Sequence, residues 1–163
     1  MDVMEAIKTR RTIRRFAERP IDRKDIDRIL DAARWAPSGK NTQPWRFIVV
    51  TDPQVRAKLE AMRPQGVIGR APVTIAILRD LTAGYQELKD LQGIGACAQT
   101  LLLAAHALGI GGCWIGLARD AKAHEILGVR DTEELMMVVS LGYPAESCEV
   151  PRRLELEELV RYV

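Results

Sequence analysis

A chain of 163 residues that is 47% hydrophobic and 28% charged has the makeup of a folded globular domain, not of a disordered or fibrous segment. The length suits one domain over residues 1–163, burying roughly 70% of its unfolded surface. A net charge of +2 excludes a nucleic-acid footprint unless the charge is concentrated locally.

Asp2 is placed to cap a short helix that carries Val3, Met4 and Ile7 at helical spacing. From Lys8 to Arg15 the chain is basic apart from Thr9, Thr12 and Ile13. Such a run is a solvated face, a nucleic-acid arm, or a small-anion site in which Arg forks and a Thr hydroxyl meet phosphate oxygens. Pro20-Ile21-Asp22 opens a second helix that extends to about Ala36. Asp22 is its cap, Asp25 lies in its first turn, and Ile26, Ile29, Leu30 and Ala33 form one apolar face. Pro37 ends it. A polar loop with Ser38, Gly39, Asn41, Thr42 and Gln43 then leads through Pro44 to a strand at 46–50. Held between Trp35 and Trp45, this loop is either a plain helix-to-strand connection or a binding segment on a rigid scaffold.

Asp52-Pro53 starts a third helix with Val55, Leu59 and Met62 inward. Residues 63–72 read as loop, and Val73–Leu78 as a strand apolar on both faces and therefore central. After a loop at Asp80–Gly84, the longest helix runs from about Tyr85 to Leu108. Leu88, Leu91 and Ile94 make its first half amphipathic. From Ala96 it is apolar nearly all round, as in a core or a subunit interface. Gly93 and Gly95 each cost it roughly 1 kcal/mol relative to Ala, which close approach of a neighbouring helix or simple tolerance explains. His106 and His124 receive no role. Gly109 ends the helix, and Ile110–Leu117 is a strand with glycine at both ends, marking ligand approach or a bulge. Asp120 caps a short helix that ends at Gly128. Leu135–Leu141 is a buried strand with Gly142-Tyr143-Pro144 as its turn. The tail from Glu149 carries Arg152, Arg153, Leu154, Leu156, Leu159 and Val160, and packs on its own subunit or on another.

Cys97, Cys113 and Cys148 are an odd count without metal-ligand spacing and read as reduced thiols of a cytoplasmic protein. No apolar signal core opens the chain, and no apolar run approaches the ~20 residues of a membrane span, so no membrane association is expected.

Four stretches together resemble the FMN-dependent nitroreductase family, its short members in particular. They are Arg10-Arg-Thr-Ile-Arg14, Ala36-Pro-Ser-Gly-Lys-Asn-Thr-Gln-Pro-Trp45, Leu108-Gly-Ile-Gly-Gly-Cys-Trp-Ile-Gly116 and Gly142-Tyr-Pro144. They stand in the family's order and span nearly the whole chain. The resemblance implies an α+β three-layer sandwich, with a mostly antiparallel central sheet covered by helices. It also implies an intertwined homodimer with FMN at the interface. By the same resemblance Arg10 and Arg152 hold the FMN phosphate, Arg11 and Thr12 lie near the phosphate and ribityl chain, and Arg14 approaches the flavin N1–O2 edge. Pro37, Ser38, Gly39 and Asn41 come from the other subunit. Ile115 and Gly116 follow the opposite edge, with the Gly116 N–H toward N5.

The implied activity is ping-pong hydride transfer from NAD(P)H through FMN to a small electron-poor acceptor such as a nitroaromatic or quinone. The cofactor carries the chemistry, so no protein nucleophile is assigned. Two alternatives stay open: another flavin reaction on the same scaffold (dehalogenation or flavin fragmentation), or a flavin-binding carrier or sensor without turnover. A nucleic-acid partner is not expected, because no aromatic stacking ladder accompanies the Arg run. This chain departs from the family pattern at Val150, where many members are basic, and in a shortened lid segment. Its 63–70 loop also lacks the Asn and Lys of longer members, with Gln65 or Arg70 as substitutes.

Overall fold

The doubly apolar run Val73–Leu78 can be satisfied only where both faces are covered, and that is where it lies. The computed structural model describes residues 1–163. Four antiparallel strands, β1 (Trp45–Val50), β2 (Val73–Asp80), β3 (Gly111–Ile115) and β4 (Glu133–Gly142), form one sheet in the order β1-β2-β4-β3. Around it stand α1 (Val3–Thr9), α2 (Arg23–Ala33), α3 (Pro53–Glu60), α4 (Glu87–Ala107), α5 (Ala121–Leu127) and α6 (Leu156–Leu159). Ile29 of α2 with Ile94 and Leu101 of α4 packs on Ile75, Ile77, Val139 and Leu141. On the other face Leu59 of α3 and Ala123 of α5 join Val67 and Ile68 against Ala76, Leu78, Leu135 and Val138. The result is the three-layer α+β sandwich expected.

Strand alternation accounts for this sorting in β2, but β4 needs one irregularity. Ile77 faces Met137 while Leu78 faces Leu135, so Met136 is an extra residue. This bulge is what lets Leu135 and Val138 share a face. Polar residues extend both strands beyond their apolar cores, because Arg79 pairs with Glu134 and Asp80 with Glu133 in the ladder.

Local signals set most helix ends. Asp2 accepts from Glu5 N at 2.9 Å, Asp52 from Gln54 N at 2.8 Å, and Asp120 from Lys122 N at 3.0 Å and Ala123 N at 3.1 Å. Asp22 occupies the cap position of α2 without a side-chain cap bond. That helix stops at Ala33, short of Ala36, where Trp35 N donates to Ala32 O at 3.1 Å and Ala36 N to Ala33 O at 3.2 Å, a tightened final turn.

The start of α4 is tied to the sheet by charge. Arg79 on β2 lies 3.4 Å from Asp90, 3.6 Å from Glu87 and 3.5 Å from Glu134. The Asp90 side chain is 1% exposed, and its Oδ2 has no hydrogen-bond partner. A buried carboxylate left without its cation is strongly destabilising. Arg79→Met should therefore cost about 3–5 kcal/mol of unfolding free energy in chemical denaturation, and adding Asp90→Asn should recover part of it. A loss below about 1 kcal/mol, the range of exposed pairs, would refute this role for Arg79.

Candidate cofactor site

The basic run leaves α1 in extended form and lies along the edge of β3. Thr12 pairs in parallel with Gly112, Ile13 N donates to Gly112 O at 3.0 Å, and Phe16 pairs with Pro144. Only glycine in the sheet permits so close a seat. A Cβ at Gly111 would come within 2.5 Å of Ile13 Cγ1, and one at Gly142 within 2.7 Å of Phe16 Cδ1. The glycine-rich start of β3 thus accommodates the chain's own segment, where the sequence offered ligand approach or a bulge. Glu146 pins the segment by accepting from Arg14 N at 2.5 Å and Arg15 N at 3.0 Å. Those two backbone donors hold its carboxyl below the usual carboxylate range.

Extended chain alternates sides, so burying Ile13 turns Arg10, Thr12 and Arg14 outward together. They line a cavity of about 360 Å³ with Arg11, Cys148, Glu149, Pro151 and Arg153. Arg153, not the neighbouring Arg152, reaches this lining. Arg11 is partly committed elsewhere, since its Nη1 donates to Lys8 O and Arg10 O, both at 2.8 Å, closing the end of α1. A second cavity of about 280 Å³ is lined by Arg14, Arg63, Gln65, Cys113, Trp114, Ile115 and Gly116. Arg14 belongs to both and is the one side chain they share. At Gly116 an added Cβ would meet nothing within 4 Å, leaving open space beside the backbone. Arg63 was not anticipated from the sequence; Gln65 was. Arg70 lines neither cavity, its guanidinium lying near Gly66 instead.

The charge left over here is informative. Seven arginines elsewhere form the chain's ion pairs, and none of Arg10, Arg14, Arg63 or Arg153 is among them. Unpaired guanidinium groups beside a Thr hydroxyl suit a phosphate, which takes planar, two-pronged donors. Cys113 offers no ready nucleophile: burial pushes its thiol up, with Arg14 opposing only in part.

The Pro37 loop stands apart. Pro37, Ser38 and Gly39 line a separate cavity of about 270 Å³ with Lys89, Gln92, Gly93 and Ala96 of α4. Asn41 is exposed and outside it. The loop makes a 3₁₀ turn at Gly39–Asn41, and Ser38 Oγ accepts from Gln43 N at 3.0 Å. Lys40, Asn41 and Gln43 all have left-handed φ, 52°, 57° and 49°, an unusual density of strain for residues other than glycine. Gly93 abuts this loop, with Pro37 O 3.4 Å from where its Cβ would be, and Gly95 has open space. Within the chain neither meets a neighbouring helix, one of the two explanations the sequence left open, and the open space at Gly95 fits the other, tolerance.

Both histidines are structural. His106 Nε2 bonds Thr9 Oγ1 at 2.8 Å, and its pKa is lowered by burial and then by Arg10 and Arg11. His124 Nε2 accepts from Leu135 N at 3.0 Å. No cluster of His, Cys, Asp and Glu could hold a metal ion.

The nitroreductase family model matches residues 7–63 and 60–143. The chain is 36% identical over 168 residues to a candidate NADH dehydrogenase/NAD(P)H nitroreductase of Methanothermobacter thermautotrophicus, across 97% of this chain and 88% of the relative. It is 30% identical to an iodotyrosine deiodinase of Haliscomenobacter hydrossis, across 87% of this chain and 79% of the relative. The crystal structure of a candidate nitroreductase in complex with FMN from Desulfovibrio desulfuricans matches with a TM-score of 0.86 at 33% identity, over 100% of this chain and 97% of that one. On sequence and fold alike, the chain belongs to the nitroreductase family.

Proposed function

We propose that the protein is an FMN-dependent oxidoreductase, one domain over residues 1–163, that passes hydride from NADH or NADPH to an electron-poor acceptor such as a nitroaromatic or quinone. One observation carries this reading: Arg14 is shared between the cavity of unpaired guanidinium groups around Thr12 and the cavity with clear space at Gly116. A phosphate-bearing molecule with a flat ring suits that shape and charge. The FMN-bound relative supports the choice of cofactor, and the NAD(P)H in the archaeal relative's name supports the donor. FMN, when bound, would supply the hydride-accepting and hydride-donating chemistry, with donor and acceptor using one site in turn. Arg10 and Arg153 would neutralise the phosphate, and Thr12 would add a neutral donor. Arg14 would offset the negative charge that arrives with hydride. Ile115 and Gly116 would leave the ring edge accessible to a backbone N–H.

The same reading calls for a homodimer. Pro37, Ser38 and Gly39 line a cavity that shares no residue with the one at Arg14, and Asn41 lines neither, which favours a second copy as the source of this loop at a shared cofactor. Exposed Val3, Met4 and Ile7 on α1, and Val150, Leu154, Leu156, Leu159 and Tyr162 along the tail, offer the apolar surface for it. Arg152 on that tail would then be free to serve the partner's site. Three unpaired thiols favour a reducing compartment, the cytoplasm, and no helix is long and apolar enough to cross a membrane. The deiodinase relative favours a second reading, reductive dehalogenation at the same site. Turnover assays with nitroaromatic, quinone and halogenated phenol acceptors separate the two.

The purified protein should show flavin absorption that NADH or NADPH bleaches without oxygen; a colourless protein that ignores added FMN would refute the reading. Arg10→Ala removes a charge-assisted contact worth roughly 1.5–3 kcal/mol, so the FMN Kd should rise by about one to two orders of magnitude. Arg153→Ala should do the same, and an unchanged Kd in both variants would sink the phosphate assignment. Light scattering should give the mass of two chains; a monomer that binds FMN fully would contradict the two-subunit site.

A further inference from the structure

We infer that Glu60 is a positioning residue, holding the 63–70 loop in the one shape that carries Arg63 and Gln65 into the cavity with Arg14 and Gly116. The inference rests on the flavin reading of that cavity. Glu60 is the last residue of α3, and its carboxylate is spent entirely on the loop that follows. Oε1 accepts from Gly66 N at 2.5 Å, while Oε2 accepts from Ile68 N at 2.7 Å and Gly69 N at 3.1 Å. Its own carbonyl accepts from Arg63 N at 3.0 Å.

The loop has no strand or helix to satisfy these donors, so the carboxylate substitutes for a secondary-structure partner. Its shape is otherwise set at two points. Gly66 turns the chain at φ +71°, a conformation that favours glycine, and Val67 and Ile68 are buried beneath the α3–α5 layer. Between α3 and this clip, Arg63, Pro64 and Gln65 are left exposed, and Arg63 and Gln65 meet Arg14, Trp114 and Gly116 around one cavity. Gln65 N donates to Arg63 O at 2.7 Å, so the backbone that bears both side chains turns tightly here. Releasing the clip would therefore withdraw a cation and an amide from the cavity lining through a residue that is not itself part of that lining.

The test is a double-mutant cycle. Glu60→Gln keeps the size but loses the charge, and hydrogen exchange at Gly66, Ile68 and Gly69 should accelerate. In the flavin-loaded protein the FMN Kd should rise roughly tenfold, and the flavin midpoint potential should fall as a cation is withdrawn. In an Arg63→Ala/Gln65→Ala background the same substitution should change neither quantity further. Gly66→Ala, which reaches the loop through its backbone, should reproduce the pattern and decides the matter if Glu60→Gln does not fold. An equal rise in Kd in both backgrounds, or no rise while the unsubstituted protein binds FMN, overturns the positioning role alone. Failure of the unsubstituted protein to bind FMN overturns the flavin reading and this inference with it.

Discussion

The seat of Ile13 and Phe16 on Gly111 and Gly142 is the constraint from which the site follows. Contact this close admits one register, and register in an extended segment decides which side chains point where. With Ile13 against the sheet, Arg10, Thr12 and Arg14 have no choice but to face the cavity. Glu146 reinforces the same register through the Arg14 and Arg15 backbone. The segment also covers the outer edge of β3, which would otherwise present unpaired backbone groups.

The ion-paired arginines and the cavity arginines differ in their surroundings. On the sheet and at the start of α4, Arg79 and Arg119 are matched by Glu87, Asp90 and Glu134, an arrangement that locks elements together. Around the cavities the guanidinium groups form no ion pair although Glu149 shares the lining, and the carboxylate of Glu146 is turned toward backbone N–H groups. Burying or crowding cations without partners costs free energy, and a bound anion offsets it.

What could be read from the sequence was what depends on near neighbours. The caps at Asp2, Asp52 and Asp120, the stop at Gly128 and the apolar face of Ile26, Ile29 and Ala33 are all decided within a few residues. The helix end at Ala33 was overshot because Arg34 and Trp35 fit the helical pattern, while Pro37 sets the boundary only loosely. Contacts remote in sequence were illegible. Nothing near Gly111 announces Ile13, and nothing near Glu60 says that Gly66, Ile68 and Gly69 will turn their N–H groups toward it. Arg152 and Arg153 are equivalent in a sequence, and only the path of the chain brings one to the cavity.

Trp114 has a consequence of a different kind. It is 43% exposed and lines the cavity beside Gly116, whereas Trp45 is sealed in the core and Trp35 stands in solvent at 74% exposure. An indole placed so is a built-in optical probe. Its emission will respond to whatever enters the cavity, while Trp45 and Trp35 supply a background that does not depend on the cavity. Once Trp35 is replaced by Phe, the fraction quenched by iodide or acrylamide reports whether the cavity is open. Occupancy of the site can therefore be followed in the unlabelled protein, with ligands that have no colour of their own.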